Sequence, residues 1–257
     1  MTLSEYPELK DSWYGQLHHN MFCNLKSLVV QKCEFLSHVL FPSNVIQVLH
    51  GLENLEVRDC DSLEALFDVK GLKSKQILIK QTSQLKTLTL SGSPNLKHIW
   101  NKDPYEIISF GKLSTVDISL CQSLLYIFPL SLCEDLGNLK MLVIESSGVE
   151  QIVAMEDTTS TKNIITFPQL TKFLLHHLEK LTSFCPRKHT LECPSLKILD
   201  VNHCEGLTMF SFNRFNIQQC DDILIGQALF SIEKVTPTMP YLYYFSKHLS
   251  CLLYSSK

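Results

Sequence analysis

Four segments decide the fold: LKSLVVQKCEFL (25–36), LENLEVRDCDSL (52–63), LSTVDISLCQSL (113–124) and LKILDVNHCEGL (196–207). They share the template L-x-x-L-x-L-x-x-C-x-x-L. Three looser copies are LKTLTLSGSPNL (85–96), LKMLVIESSGVEQI (139–152) and LTKFLLHHLEKL (170–181). Successive copies start 27, 33, 28, 26, 31 and 26 residues apart. A regular recurrence at this length indicates a solenoid of stacked units.

The alternation within the template predicts a strand in each unit. Leu55 and Val57 alternate with Glu56 and Arg58, so the aliphatic side chains point inward and the polar ones outward. One unit is too small to fold alone, because the apolar surface that it buries does not offset the entropy of ordering the chain. Neighbouring units must therefore stack.

Stacked strands predict an α/β solenoid, a leucine-rich-repeat horseshoe with a concave parallel β-sheet. The second half of each unit returns along the convex side, where frequent prolines favour irregular or short helical connections. Residues Ser131–Leu139 (SLCEDLGNL) are expected to form a helical turn.

Three regions are predicted: a partial N-terminal repeat (1–21), an array of about seven repeats (22–212) and a degenerate repeat or cap (213–257). Residues Leu3–Trp13 match Leu90–Trp100 with Leu, Pro, Leu, Lys and Trp at equal offsets, which indicates duplication of a block of about three repeats. The segment Thr238–Phe245 echoes Thr166–Phe173 before the pattern is lost.

Composition excludes several partner classes. The net charge is −3 and the Lys and Arg residues are thinly spread, whereas nucleic acids and anionic membranes require concentrated basic charge. The first twenty residues have no apolar signal region, and Tyr241–Tyr254 is too short to span a bilayer. We expect a cytoplasmic, monomeric protein whose ten cysteines are reduced thiols.

Four cysteines, Cys33, Cys60, Cys121 and Cys204, share one template slot, which predicts a structural ladder in which each side chain bonds the turn that leaves the strand. The spacing Cys185-x₃-His189-x₃-Cys193 resembles a zinc site but lacks a nearby fourth ligand. We therefore interpret Arg187-Lys188-His189 as a solvated turn, and we expect no metal or cofactor.

Other polar features also have simple interpretations. His18-His19 and His176-His177 are two pairs of neighbouring histidines. In an extended chain the two side chains of such a pair point to opposite faces, so neither pair is placed to chelate a metal ion. Residues Glu156–Asn163 form an exposed insertion, either a plain loop or a docking segment. No G-x-S-x-G elbow is present, and a solenoid offers no deep cleft, so we expect no enzymatic activity.

Outward strand positions are the candidate binding surface. Met141, Val143 and Leu174 form an apolar stripe there, of the kind that marks contact patches, unless the insertion covers it. The residues predicted to bind a protein on the concave face are Glu56, Arg58, Asp117, Met141, Val143, Glu145, Lys172, Leu174, His176, Asp200 and Asn202.

Several segments resemble the C-terminal repeats of plant coiled-coil, nucleotide-binding, leucine-rich-repeat (CC-NB-LRR) disease resistance proteins. The resemblance runs from about Leu3 to Phe212 and rests on LVVQKCEFL, LEVRDCDSLEALF, LTLSGSPNLKHIW, VDISLCQSLLYIFP, FPQLTKFLLHHLEKLTSF and CPSLKILDVNHCEGLTMF. No phosphate loop G-x-x-x-x-G-K-[ST] is present, so nucleotide binding is not carried over. We expect a fragment or a truncated relative.

The resemblance implies a protein–protein interaction scaffold in plant defence, concerned with recognition or with restraint of the receptor. The partners that it implies are a pathogen effector, a guarded host protein or the receptor's own nucleotide-binding module. Two alternatives are a substrate adaptor of a ubiquitin ligase, which needs an F-box-like segment, and a secreted receptor ectodomain, which needs a signal and paired cysteines.

Two matched substitutions test the assignment of the faces. We predict that Leu174→Asp disrupts partner binding and leaves the fold intact, because residue 174 points outward. Leu88→Asp should unfold the array, because it buries an unpaired charge. Circular dichroism of both variants is the measurement, and equal loss of structure in the two would refute the assignment.

Overall fold

A computed structural model describes residues 1–4, 24–34, 38–42, 51–68, 80–101, 104, 107–154, 163–186, 188–207, 215–216 and 222–225. In this part of the chain, nine parallel strands form one sheet in which neighbouring strands come from successive repeats. The nine strands are Thr2–Ser4 (β1), Ser27–Gln31 (β2), Asn54–Arg58 (β4), Thr87–Ser91 (β7), Thr115–Ser119 (β10), Met141–Glu145 (β12), Lys172–His176 (β15), Ile198–Asn202 (β17) and Asp222–Ile225 (β19). The predicted solenoid of parallel strands is confirmed.

The seven template segments pair in the same register throughout. Leu88, for example, lies between Leu55 and Val116, so the same template position is aligned from one repeat to the next. Leu88 and Leu90 are each 1% exposed, whereas Thr89 between them is half-buried. The inward residues of successive repeats thus form one continuous core. Each repeat buries its neighbour's apolar flank.

The strand Thr2–Ser4 agrees with the duplication found in the sequence. Leu3 pairs with Val30, and Val30 pairs with Val57, which in turn pairs with Leu90. Leu3 and Leu90, which the aligned segments Leu3–Trp13 and Leu90–Trp100 place at equal offsets, therefore occupy the same row of the sheet.

The opposite side of the solenoid differs from the expectation of mostly irregular or short helical connections. In the described ranges it consists largely of short parallel strands, and the 3₁₀ helix Leu130–Asp135 lies inside the predicted helical turn. These strands are Val39–Phe41 (β3), Ala65–Phe67 (β5), Gln81–Thr82 (β6), His98–Trp100 (β8), Ile108–Ser109 (β9), Tyr126–Pro129 (β11), Gln151–Ala154 (β13), Ile164–Thr166 (β14), Thr190–Glu192 (β16) and Phe215–Asn216 (β18). Many carry β-branched or aromatic residues, which favour an extended chain over a helix.

Aromatic rings stack along this second side. The rings of Phe41 and Phe67 lie 5.3 Å apart at 15°, and those of Phe67 and Trp100 lie 5.0 Å apart at 11°. The Trp100 indole N–H donates a hydrogen bond to the carbonyl oxygen of Ile127, 3.0 Å away. The three stacked rings therefore connect three repeats, and the buried indole N–H finds its hydrogen-bond acceptor in a fourth repeat.

A left-handed residue ends the long strand in all seven template repeats. Its φ lies between 47° and 61°, and in the first six repeats its N–H continues the sheet: that of Asp59 donates to the Ser91 carbonyl oxygen at 2.9 Å. The residues at this position are Lys32, Asp59, Gly92, Leu120, Ser146, His177 and His203. Glycine, which adopts this conformation without strain, is found in one repeat alone.

The loosest template copy, 139–152, keeps the strand register and is contracted at its turn. Met141–Glu145 pairs normally with Thr115–Ser119 on one side and Lys172–His176 on the other. The turn then passes so close to the preceding repeat that a Cβ on Gly148 would lie 1.9 Å from the Gln122 carbonyl oxygen. Only glycine fits there.

Some sequence-based expectations fall beyond what the structure describes. The region boundaries at 21/22 and 212/213, the pair His18-His19, the segment Thr238–Phe245 and most of the insertion Glu156–Asn163 lie outside the described residues. Within the described ranges, no helix combines the length and the apolar character needed to cross a membrane.

We predict that Leu120→Gly stabilises the protein. Leu120 is 52% exposed with φ at 55°, so it has a strained backbone and little burial to lose. Relieving the Cβ clash, less the entropy that glycine adds to the unfolded chain, should raise the free energy of unfolding by roughly 0.5–1 kcal/mol. Urea denaturation measures the change.

The matched control is Leu124→Gly in the same turn, where the leucine is fully buried. That variant should lose about 3 kcal/mol or more, because a cavity opens in the core. A lower denaturation midpoint for Leu120→Gly would contradict the strain assigned to residue 120.

Candidate functional site

The residues predicted to bind a partner all project from the long strands on the side away from the core. On each of these strands the second and fourth residues are buried, while the first, third and fifth are half-buried or exposed. We call the surface made by these outward residues the sheet face. The predicted residues are Glu56 and Arg58 on β4, Asp117 on β10, Met141, Val143 and Glu145 on β12, Lys172, Leu174 and His176 on β15, and Asp200 and Asn202 on β17. Their part in binding stays a prediction.

Strand register places four of these residues next to one another in one row across the sheet face. Asp117 pairs with Val143, Val143 with Leu174, and Leu174 with Asp200. Adjacent strands lie about 4.8 Å apart, so the two carboxylates enclose the two aliphatic side chains. Val143 and Leu174 are half-buried although they point away from the core. The predicted apolar stripe is therefore contiguous at this point.

Next along the row is Leu224, which the sequence analysis missed. It pairs with Asp200 and is 57% exposed, so the row continues onto β19 with a large apolar side chain. The sequence analysis placed this strand within the degenerate C-terminal region 213–257, where Ile223, Leu224 and Ile225 are three consecutive aliphatic residues. Such a run hides the period of two that marks the other strands.

Charge on the sheet face is partly neutralised within the protein. Arg58 forms a close ion pair with Glu56 on the same strand. The Nε2 atom of His176 lies 3.1 Å from Oδ2 of Asp200 on the neighbouring strand. The Arg58–Glu56 pair compensates charge at the β4 end of the predicted site.

The centre of the face carries uncompensated negative charge. Burial, and to a smaller extent the nearby Glu145 carboxylate, raises the pKa of Asp117. Glu145 is exposed on the adjacent strand. Among the described residues, neither carboxylate has a cationic group within ion-pair distance. Two like charges thus share this part of the surface without a partner.

The cysteine ladder is confirmed. The thiols of Cys33, Cys60, Cys121 and Cys204 each donate to the carbonyl oxygen two residues back, at 3.3 to 3.4 Å. Ser147, in the same slot, donates to the Glu145 carbonyl oxygen at 2.8 Å and accepts from the backbone N–H of Cys121 at 3.2 Å. Ser147 therefore closes its own turn and also bonds the turn before it.

Burial makes these thiols poor nucleophiles. It raises the pKa values of Cys60, Cys121 and Cys204 from 9.0 to about 11. Burial also raises the pKa of Cys193. Because the thiolate is the reactive form, a structural role accounts for these cysteines better than catalysis or redox chemistry.

Cys185, His189 and Cys193 are all buried. His189 is 3% exposed, which corrects the expectation of a solvated turn at this residue. The Cys185 thiol donates to the His189 carbonyl oxygen at 3.2 Å, so the chain folds back on itself here and carries the imidazole inside. In the described ranges, no three His, Cys, Asp or Glu side chains converge as a metal site would require.

The neighbouring histidines His176 and His177 lie in different surroundings, although not on opposite faces of one extended strand. His176 joins the sheet face, and His177 occupies the left-handed turn position. There the ring of His177 stacks on that of His203, with centroids 4.6 Å apart and planes at 11°. Sequence reasoning missed this contact, because the two residues are neighbours only through the stacking of repeats.

A family model described as "Plant disease resistance protein RPS2-like, leucine-rich repeats" matches residues 1–148. The chain belongs to this family. No curated protein and no solved structure gives a significant match. The match confirms the resemblance to the repeats of plant CC-NB-LRR proteins. Beyond residue 148, Lys172–His176 and Ile198–Asn202 continue the RPS2-like repeats in unbroken register.

The raised thiol pKa values predict protection from alkylation. At pH 8, iodoacetamide should leave Cys60, Cys121 and Cys204 unmodified in the native protein and modify them in urea. Peptide mass spectrometry distinguishes the two states. Rapid native modification of Cys121, the thiol in the middle of the array, would show that the ladder is open to solvent.

The same shifts predict alkaline destabilisation. Because the folded-state pKa values of about 11 exceed the ordinary value of 9.0, the contribution of these thiols is complete below pH 9 and is lost as pH rises towards 11. Denaturation midpoints measured across this window should fall less in a Cys121→Ser variant. An equal fall in both proteins would exclude Cys121 as a cause.

Proposed function

We propose that this chain is a protein–protein interaction scaffold of plant defence, acting in the cytoplasm as a monomer through its sheet face. In this proposal the solenoid is a horseshoe and the nine-stranded sheet lines its concave side. The single observation that supports the choice of surface is the pair Val143 and Leu174, two aliphatic side chains that lie side by side and point away from the core. Membership in the RPS2-like repeat family supports the role in defence.

Val143 and Leu174 are aliphatic side chains that the folded chain leaves only half-buried. Within a folded chain, aliphatic residues are mostly found where they are covered, and contiguous exposed ones mark contact surfaces. Each outward strand position is built on a core that is nearly or fully buried, such as Leu142 and Ile144 on either side of Val143. A rigid surface of this kind binds without a large cost in ordering.

The partners that we propose are a pathogen effector, a guarded host protein or the nucleotide-binding module of the same receptor. All three are proteins, and the thin distribution of Lys and Arg argues against nucleic acid and membrane surfaces. The proposal assigns no catalytic activity. This part of the proposal is supported by the thiols of the template slot. Burial keeps these thiols protonated, and they donate hydrogen bonds within the turns.

Site-specific photocrosslinking tests the proposed surface. The full chain, carrying benzoylphenylalanine in place of Leu174, should form discrete protein adducts in a plant leaf extract. A matched protein carries the same group in place of Leu125, which is 43% exposed and lies outside the nine-stranded sheet. Adducts at residue 174 should disappear when Val143→Asp is added, since that change places a charge in the apolar contact.

Two results would contradict the proposal. One is an identical adduct pattern from residues 174 and 125, and the other is a pattern at residue 174 that is insensitive to Val143→Asp. Circular dichroism of each protein is the control that checks whether the repeats remain folded.

A further inference from the structure

We call the row Asp117–Val143–Leu174–Asp200, together with Glu145, the acidic–apolar strip. It combines carboxylates with aliphatic side chains that are only half-buried. Its middle is aliphatic and its ends are carboxylates, in an order set by the strand register. The Asp117 end is the stronger of the two, because Glu145 adds a second carboxylate there. At the other end, Oδ2 of Asp200 lies 3.1 Å from Nε2 of His176.

The charges around the strip favour a cationic occupant. Three carboxylates lie on it, while the nearest strand positions supply one ammonium group, that of Lys172. Asp117 is also disfavoured as an anion by its burial and by Glu145. A positive group placed between Asp117 and Glu145 would relieve both effects, whereas a phosphate or another carboxylate would worsen them.

The length of the strip indicates the spacing that a partner needs. Asp117 and Asp200 are three strand spacings apart, which is about 14 Å at about 4.8 Å each. An extended segment rises about 3.4 Å per residue and presents every second side chain to one side. Side chains four residues apart therefore span the strip, and the side chain midway between them lies over Val143 and Leu174.

We infer that the acidic–apolar strip binds an extended, basic polypeptide segment of the pattern basic-x-apolar-x-basic. One Arg or Lys pairs with Asp117 and Glu145, the other pairs with Asp200, and the apolar side chain packs on Val143 and Leu174. This inference rests on the proposed function, because it names the chemistry of a partner for the same face. It goes beyond that proposal by specifying charge, spacing and conformation.

A random peptide library tests the inference. Twelve-residue peptides displayed on phage are selected on the full 257-residue chain, and the recovered sequences are synthesised with a fluorescent label for anisotropy measurements. We expect enrichment of Arg and Lys at a separation of four residues around a large apolar residue. Binding should weaken as salt is raised, since exposed ion pairs are screened.

Isosteric variants locate the binding. Asp117→Asn and Asp200→Asn should each weaken the selected peptides about fivefold, which corresponds to one partly exposed ion pair. The matched control Glu179→Gln removes one carboxylate from an exposed turn outside the strip and should have no effect. Asp117→Asn should fold as well as the parent, because it removes a repulsion.

The outcomes separate this inference from the proposed function. Peptides that lose binding with Leu174→Ser but are unaffected by Asp117→Asn and Asp200→Asn would overturn the inference and leave the proposed surface standing. Peptides that are unaffected by Leu174→Ser would overturn both. Selection of acidic peptides, or recovery of no binding peptide, would also overturn the inference.

Discussion

Burial of one repeat's aliphatic residues against those of the next is the interaction on which the whole structure depends. Leu88 is held between Leu55 and Val116, and the same arrangement recurs at each inward position of the sheet. No repeat has enough apolar surface to fold alone, so the array exists only as a stack. The stack in turn requires that every strand keep the same register, because a shift of one residue would turn the core outward.

Two backbone devices preserve that register between the strands. The residue after each template strand adopts a left-handed conformation, and in the first six repeats its N–H bonds to the next repeat. In five of the seven repeats the slot that follows carries a cysteine or serine whose side chain closes the turn, and the Ser147 hydroxyl also accepts a hydrogen bond from the backbone of the repeat before it. The turn thus prolongs the hydrogen bonding of the sheet around its edge and keeps the repeats aligned.

A regular core leaves the opposite side of each strand free for function. The inward residues are interchangeable aliphatic groups, whereas the outward row changes from Glu56 and Thr89 to Asp117, Val143, Leu174 and Asp200. Substitutions there alter charge and shape with no cost to the core. In a family of disease resistance repeats, this separation allows the outward residues to vary while the core is kept.

Strand positions and their inward or outward orientation follow from the sequence alone, because the alternation of side chains along a strand is a local property. All seven template strands and the outward residues on them were predicted on this basis. The contacts between repeats were decided only by the tertiary structure. Asp117 beside Glu145, His177 over His203 and the close approach at Gly148 join residues 26 to 28 positions apart, and no local pattern encodes such neighbours. The left-handed position was missed for a related reason: backbone bonding to the next repeat imposes it on Lys, Asp, Leu, Ser and His alike, so no common residue type marks it.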